Sequence, residues 1–273
     1  MDNVLGYQDK TVVVTGAASG MGEAAAQLLV DLGARVYALD IADVKVPVEA
    51  ALKVDMKDQA SLDAAVAELP DSIFALFNCA GVPSPPFAAA DTVLINFSGL
   101  RYLTEALLPR LGEGSAIASI ASTAGMGWKP NLTQVREFLA LDNSLATAAD
   151  WLAANAEAVP DGYGFSKQCL IVYSMSMAKD LAQRGIRINS IAPSPTDSAF
   201  MKQLKGEGQI PDEAVELFLP SNGRYATGKD MGEPLVLLNS QLAGFISGQN
   251  VPIDFGYSAE VYMGQRDDLM GIA

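Results

Sequence analysis

Residues 11–22 read TVVVTGAASGMG, an apolar β-branched run that breaks into three glycines and opens onto an alanine-rich helical pattern. The pattern is strand, tight turn, helix. Such a turn serves pyrophosphate binding, because the free N–H groups and positive dipole end of the following helix face whatever anion fits against them. Gly16 makes the turn, Gly20 lets backbone approach a phosphate, and Gly22 lets the helix pack on the strand. Ser19 and Met21 share the turn and join the candidate cofactor contacts. The next strand, RVYALD, ends in Asp40. A carboxylate there accepts both ribose hydroxyls of an adenosine and repels a 2′-phosphate. Ser19 and Ile41 occupy the adjoining places where a cation for that phosphate would stand, so the expected cofactor is NAD.

Working outward, half of the 273 residues are apolar, ample for one large core, and a single domain over 1–273 is expected. Lys plus Arg number 18 against 32 Asp plus Glu, a formal charge of −14 that disfavours nucleic acid and anionic membranes as partners. No apolar stretch is long enough to span a bilayer. The opening MDNVLGYQDK lacks the basic-then-apolar pattern of a leader, so a cytoplasmic location is expected. Cys79 and Cys169 are expected as free thiols. The sequence has no histidine, which excludes a Ser-His-Asp triad and, with two cysteines, an ordinary zinc site; no metal is expected. Acid/base chemistry at neutral pH then falls to a perturbed Tyr, Lys, Asp, Glu or Cys.

Strand and helix alternate along the chain. A third strand near 51–55 brings Asp55 and Met56 to where an adenine ring would lie. A helix follows at 59–69. The apolar run IFALFNCAG at 73–81 suits a strand buried on both faces, ending in Asn78, Ala80 and Gly81. A helix near 91–108 carries Asn96 among hydrophobes, which is costly unless its amide is bonded. GSAIASIASTAG at 114–125 reads as a strand ending in Ser119, Ser122 and Thr123. Residues 126–162 break the pattern with two helical segments near 131–141 and 145–157, read as an inserted helical hairpin. Its apolar residues pack on a partner, on the body of the same chain or over the cleft. Tyr163 and Lys167 then open a long helix, one turn apart on one face. A strand at 187–192 breaks at PSPTDS. Residues 194–222 read as an apolar flap, a helix follows at 228–239, and a last strand lies near 250–254. The fold class is α/β, a doubly wound parallel Rossmann sheet of about seven strands with helices on both faces.

TGAASGMG, NCAG, the helical Asn96, IAS at 120–122, YGFSK and NSIAP at 189–193 resemble, in order and across nearly the whole chain, the short-chain dehydrogenase/reductases. The long segment between Ser122 and Tyr163 looks like the subgroup containing bacterial 3α-hydroxysteroid dehydrogenase/carbonyl reductase and coniferyl-alcohol dehydrogenase. The resemblance implies Tyr163 as acid/base, Lys167 as its support and ribose anchor, Ser122 as the group that binds the substrate oxygen, and Asn96 as holder of a water linking Lys167 to solvent. It also implies that Pro193 and Ser198 contact the nicotinamide end. Two positions depart from the family: Ser194 and Phe255 replace usual glycines.

The expected activity is NAD-linked interconversion of a bulky, mostly apolar alcohol, steroid-, terpenoid- or phenylpropanoid-like, and its carbonyl compound. Trp128, Phe200, Met201 and Phe218, with Ser122 and Tyr163, are the candidate substrate contacts. The phenol of Tyr163 is expected well below its free pKa, through Lys167 and the positive nicotinamide. The alternative is a catalytically silent dinucleotide-sensing protein or an assembly subunit on the same fold. A homo-oligomer is expected, a dimer ahead of a tetramer.

Overall fold

The computed structural model describes residues 3–206 and 210–273. Seven strands form one parallel sheet: β1 Thr11–Thr15, β2 Arg35–Asp40, β3 Ala50–Lys53, β4 Ile73–Asn78, β5 Leu111–Ile120, β6 Arg187–Pro193 and β7 Asn250–Ile253. Their spatial order is β3-β2-β1-β4-β5-β6-β7, so the order reverses between β1 and β4. A crevice opens at that reversal, outside the carboxyl ends of the strands.

The helices are α1 Gly20–Asp31, α2 Gln59–Glu68, α3 Ala89–Val93, α4 Gly99–Leu107, α5 Leu132–Leu139, α6 Leu145–Ala154, α7 Gly162–Ala182, α8 Ala199–Gly206, α9 Asp212–Glu216, α10 Gly228–Asn239 and α11 Tyr257–Tyr262. Successive strand residues point to opposite faces, and each face builds its own core. Val12, Val14, Val36 and Phe77 meet Ala25 and Leu29 of α1 and Leu235 of α10 on one side. Val13, Leu39, Leu76, Ile117 and Ile188 meet Leu62 of α2, Leu103 of α4 and Ile171 of α7 on the other. These are the two helix layers of the expected Rossmann sheet.

The inserted segment takes one of the three arrangements its apolar pattern left open. Val135, Phe138, Leu145 and Leu152 of α5 and α6 are buried against the same chain. The Phe138 ring lies 4.9 Å from Trp151, 5.5 Å from Phe165 and 5.9 Å from Phe97 between centroids, so the hairpin is fastened to α7 and the helix before α4 by an aromatic cluster.

Three local readings change. The helix carrying Asn96 is interrupted by a π-turn over Leu94–Ser98, between α3 and α4. The fifth strand ends at Ile120, so Ser122 and Thr123 lie in the 3₁₀ turn that follows rather than in the strand; the Ser122 hydroxyl caps this turn by accepting the Ala124 N–H at 3.2 Å. The flap holds α8 and α9, and its residues 207–209 lie outside the described ones. No helix among the described residues is long and apolar enough to cross a membrane.

Candidate active site

The crevice is a cavity of about 950 Å³ at the switch point of the sheet. Gly16, Ser19, Gly20, Met21 and Gly22 line one end of it, with Asp40, Ile41, Asp55 and Met56 beside them. Gly20 has φ +63°, a left-handed conformation that glycine adopts without penalty. At Gly22 a Cβ would stand 2.1 Å from the Gly16 carbonyl, so only glycine lets α1 come this close to the turn. Ser19 caps α1 without a side-chain bond to it, which leaves the first-turn N–H groups without a side-chain acceptor at the cavity wall. The Asp40 carboxylate accepts N–H bonds from Ala18 at 2.9 Å and Ala42 at 2.8 Å, one on each oxygen. These bonds aim it at the end of β2 and leave lone pairs for two hydroxyls. Turn, helix start and carboxylate together fit the adenosine diphosphate half of a dinucleotide.

Thr15 makes a second junction that sequence reading missed. Its buried hydroxyl accepts the N–H groups of Cys79 at 3.0 Å and Ala80 at 3.1 Å, stitching the ends of β1 and β4 together beneath Ala80 and Gly81, which line the cavity. Asn78 does not join that lining. Its amide points into the core, donating to Thr104 at 2.9 Å and Ser119 at 3.3 Å, because the last residue of β4 alternates to the face covered by α4. Asn78 is therefore corrected from cofactor contact to core bridge.

Ser122, Tyr163 and Lys167 line the same cavity together with Pro193, Phe200, Met201 and Phe218, and Ser198 lines it beside Gly20 of the turn, whose Cβ would stand 3.6 Å from the Ser198 Cβ. Asp161 caps α7 by accepting the Gly164 N–H at 3.0 Å, which fixes the first turn that carries Tyr163. The Lys167 ammonium donates to the Ile120 carbonyl at 2.9 Å and lies 5.6 Å from the centre of the Tyr163 ring. Burial lowers the Lys167 pKa to about 8. The Tyr163 phenol departs from expectation: burial raises it to about 12, opposed by the Ser122 hydroxyl and helped by the nearby Asp161 carboxylate. Desolvation penalises the phenolate here, and the lysine that should favour it spends a hydrogen bond on Ile120.

Asn96 lies just behind this wall, fully buried. Its amide accepts the Val82 N–H at 2.7 Å and donates to the Val82 carbonyl at 2.9 Å, clamping the loop after β4. A third contact, 3.4 Å to the Ser166 hydroxyl, ties that clamp to α7. The side chain is thus a brace between two elements that present Gly81 and Lys167, rather than a residue of the cavity lining. Trp128 is corrected as well. It is absent from the cavity lining and, half-buried, packs against the core.

The family model for short chain dehydrogenase matches residues 10–133, and that for enoyl-(acyl carrier protein) reductase matches 133–258. A coniferyl-alcohol dehydrogenase from a Pseudomonas species is 30% identical over 92% of this chain and 97% of its own length. The chain belongs to the short-chain dehydrogenase/reductase family. A 3-alpha-hydroxysteroid dehydrogenase/carbonyl reductase from Comamonas testosteroni is 27% identical over 91% of this chain and 96% of its own. Among solved structures, a Pseudomonas 3-alpha-hydroxysteroid dehydrogenase complexed with NADH superposes with a TM-score of 0.78 at 24% identity, covering 94% of this chain and all of that one. As a short-chain dehydrogenase/reductase the chain is an oxidoreductase of a family that binds NAD(P).

Two cations, one in the cavity lining and one beside it, were not apparent from the sequence. Lys53 is paired with Asp40 in the β2–β3 register, and its ammonium reaches the Ile41 carbonyl at 3.3 Å while held by Asp43. Lys57 lines the cavity and pairs with Asp91 at 3.2 Å. The pairing of β3 with β2 is the signal that locates the first, and the turn after β3 locates the second.

Proposed function

We propose that the chain is an NAD-dependent alcohol dehydrogenase/carbonyl reductase for bulky, mostly apolar substrates, with Tyr163 as acid/base. The observation that carries this reading is the shared cavity: Ser122, Tyr163 and Lys167 line the same space as the glycine turn and Asp40. The nicotinamide of a bound dinucleotide supplies the hydride acceptor in oxidation and the hydride donor in reduction. Ser122 holds the substrate oxygen by its hydroxyl. Tyr163 takes the hydroxyl proton on its phenolate oxygen as the carbon–hydrogen bond breaks, and returns that proton when a carbonyl is reduced. Lys167 supports the phenolate electrostatically from across the ring.

Asp40 supports NAD over NADP, since its carboxylate stands where a 2′-phosphate would meet negative charge, and the Lys53 ammonium nearby is neutralised by Asp43. Apolar substrates are supported by the lining: the Phe200 ring is 5.4 Å from that of Tyr163, and Met201, Leu204, Val215 and Phe218 continue the wall. The names of the relatives, an aromatic allylic alcohol and a steroid alcohol, agree in chemical class. The test is turnover of a steroid, a terpenoid, a phenylpropanoid and a short hydroxy-acid alcohol with NAD and with NADP, followed by nicotinamide absorbance. Higher kcat/KM for the apolar alcohols with NAD is expected. Preference for the hydroxy acid, or for NADP, overturns the corresponding half of the proposal.

A further inference from the structure

The substrate end of the cavity has one more wall, supplied by a segment that no motif touches. Leu269 and Met270, beyond α11, line the same space as Ser122 and Tyr163. The segment is pressed into place from three sides. At Gly127, in the 3₁₀ turn that Ser122 caps, a Cβ would stand 2.0 Å from the Met270 carbonyl, so the closeness of turn and segment depends on glycine there. The Asp268 carboxylate accepts the N–H groups of Met270 at 3.2 Å, Ile272 at 3.0 Å and Ala273 at 3.1 Å, folding 268–273 into a hook. Ile272, only 4% exposed, anchors that hook in the core. Arg266 joins the hook to the flap, pairing with Glu260 at 2.8 Å and donating to the Leu217 carbonyl at 3.0 Å beside Phe218.

We propose that residues 268–272 are a specificity wall of the substrate site, in which Met270 sets how large an apolar group can stand on the carbinol carbon. This rests on reading the cavity as an alcohol site. Four physical features carry it. The wall is apolar where it lines the cavity, it abuts the turn that presents Ser122, its backbone is fixed by a carboxylate and a buried side chain, and its half-buried methionine can adapt. A thioether with three rotatable bonds fits its shape to varied apolar groups more readily than a branched side chain does.

The test uses the full chain saturated with NADH and 2-naphthol, an aromatic hydroxyl compound whose oxygen-bearing carbon has no hydride to give. Naphthol fluorescence gives its affinity without turnover. Met270→Trp should weaken naphthol binding by about tenfold by filling the wall. Met270→Ala should shift the kcat/KM ratio of 4-cyclohexylcyclohexanol to cyclohexanol toward the larger alcohol by about fivefold or more. NADH affinity should hold within about twofold in both, since the dinucleotide end is untouched. The proposal is overturned if the wild type binds no naphthol, or if neither substitution moves its own readout by more than about twofold. A wild type that binds naphthol, loses it in Met270→Trp and oxidises no alcohol would refute the proposed dehydrogenase activity while supporting the wall.

Discussion

Lys167 should cost the cofactor-free protein stability, and replacing it should show how much. Its pKa falls from 10.5 to about 8 because α7 holds the ammonium inside the cavity wall. Two and a half units correspond to about 3 kcal/mol against the folded state. The sign follows from proton counts. Between pH 8 and 10.5 the unfolded chain binds more protons than the folded one, so the penalty is complete below about pH 8 and fades as pH rises toward the unfolded value. Lys167→Met keeps the length of the stem and removes the charge. It also strips the Ile120 carbonyl of its 2.9 Å donor, a loss of about 1–2 kcal/mol. Net stabilisation at pH 7 is therefore about 1–2 kcal/mol, read by urea unfolding of both proteins without cofactor. At pH 10 the relief has shrunk by about 2 kcal/mol, so the variant should have lost its advantage or fallen below the wild type. Comparing the two proteins at each pH cancels the titrating groups they share, apart from the Cys79 thiol, which the Lys167 charge favours as thiolate. A stability difference that does not change between pH 7 and pH 10 would refute the reasoning, because Lys167 would then not be held with a depressed pKa.

Asp40→Ser with Ile41→Arg should exchange NAD preference for NADP in the kcat/KM ratio, and should lower the unfolding midpoint, because Asp40 also bonds the Ala18 and Ala42 N–H groups. Gly22→Ala should abolish dinucleotide binding by calorimetry, the added carbon having no room beside the Gly16 carbonyl. Phe255→Gly should stabilise the protein by about 1 kcal/mol in denaturant titration, since Phe255 holds φ +50° while 74% of it is exposed and little packing is lost. We propose a homodimer that uses the apolar surface of Leu242 and Phe245, which are 59% and fully exposed on one protomer; light scattering should give a dimer, and Phe245→Asp should shift it toward monomer, whereas a wild-type monomer at micromolar concentration would end that proposal.

The parallel sheet and the glycine-turn end of the cavity were legible because each depends on local pattern: β-branched runs, glycines at fixed offsets and an acid at a strand tip. Ser122, Tyr163 and Lys167 were legible for the same reason, and the structure brings them to one wall. What escaped depends on direction. Asn78 and Trp128 were taken for cavity residues because they adjoin strand ends, yet Asn78 alternates along β4 into the core and Trp128 packs half-buried against it. The hairpin's apolar stripe identified a buried face without saying what it buries against. The wall at 268–272 had no signal at all, since a hook built from one carboxylate and three backbone N–H groups has no spacing by which to recognise it. The balance between burial and charge at Tyr163 is likewise a property of the packed cavity.

That balance makes the protonation of Tyr163 depend on what binds beside it. Burial holds the phenol at about 12, so proton abstraction near neutral pH requires the positive nicotinamide of bound NAD to bring it down. The decisive measurement is the pH profile of kcat for alcohol oxidation in the wild type and in Tyr163→Phe, with NAD affinity measured alongside. Wild-type kcat should rise with pH through a group below a free phenol's value, with a Tyr163→Phe kcat lower by about a hundredfold or more and NAD affinity nearly unchanged. A Tyr163→Phe protein that retains wild-type kcat and the same profile would contradict that expectation, because another group would then carry the proton.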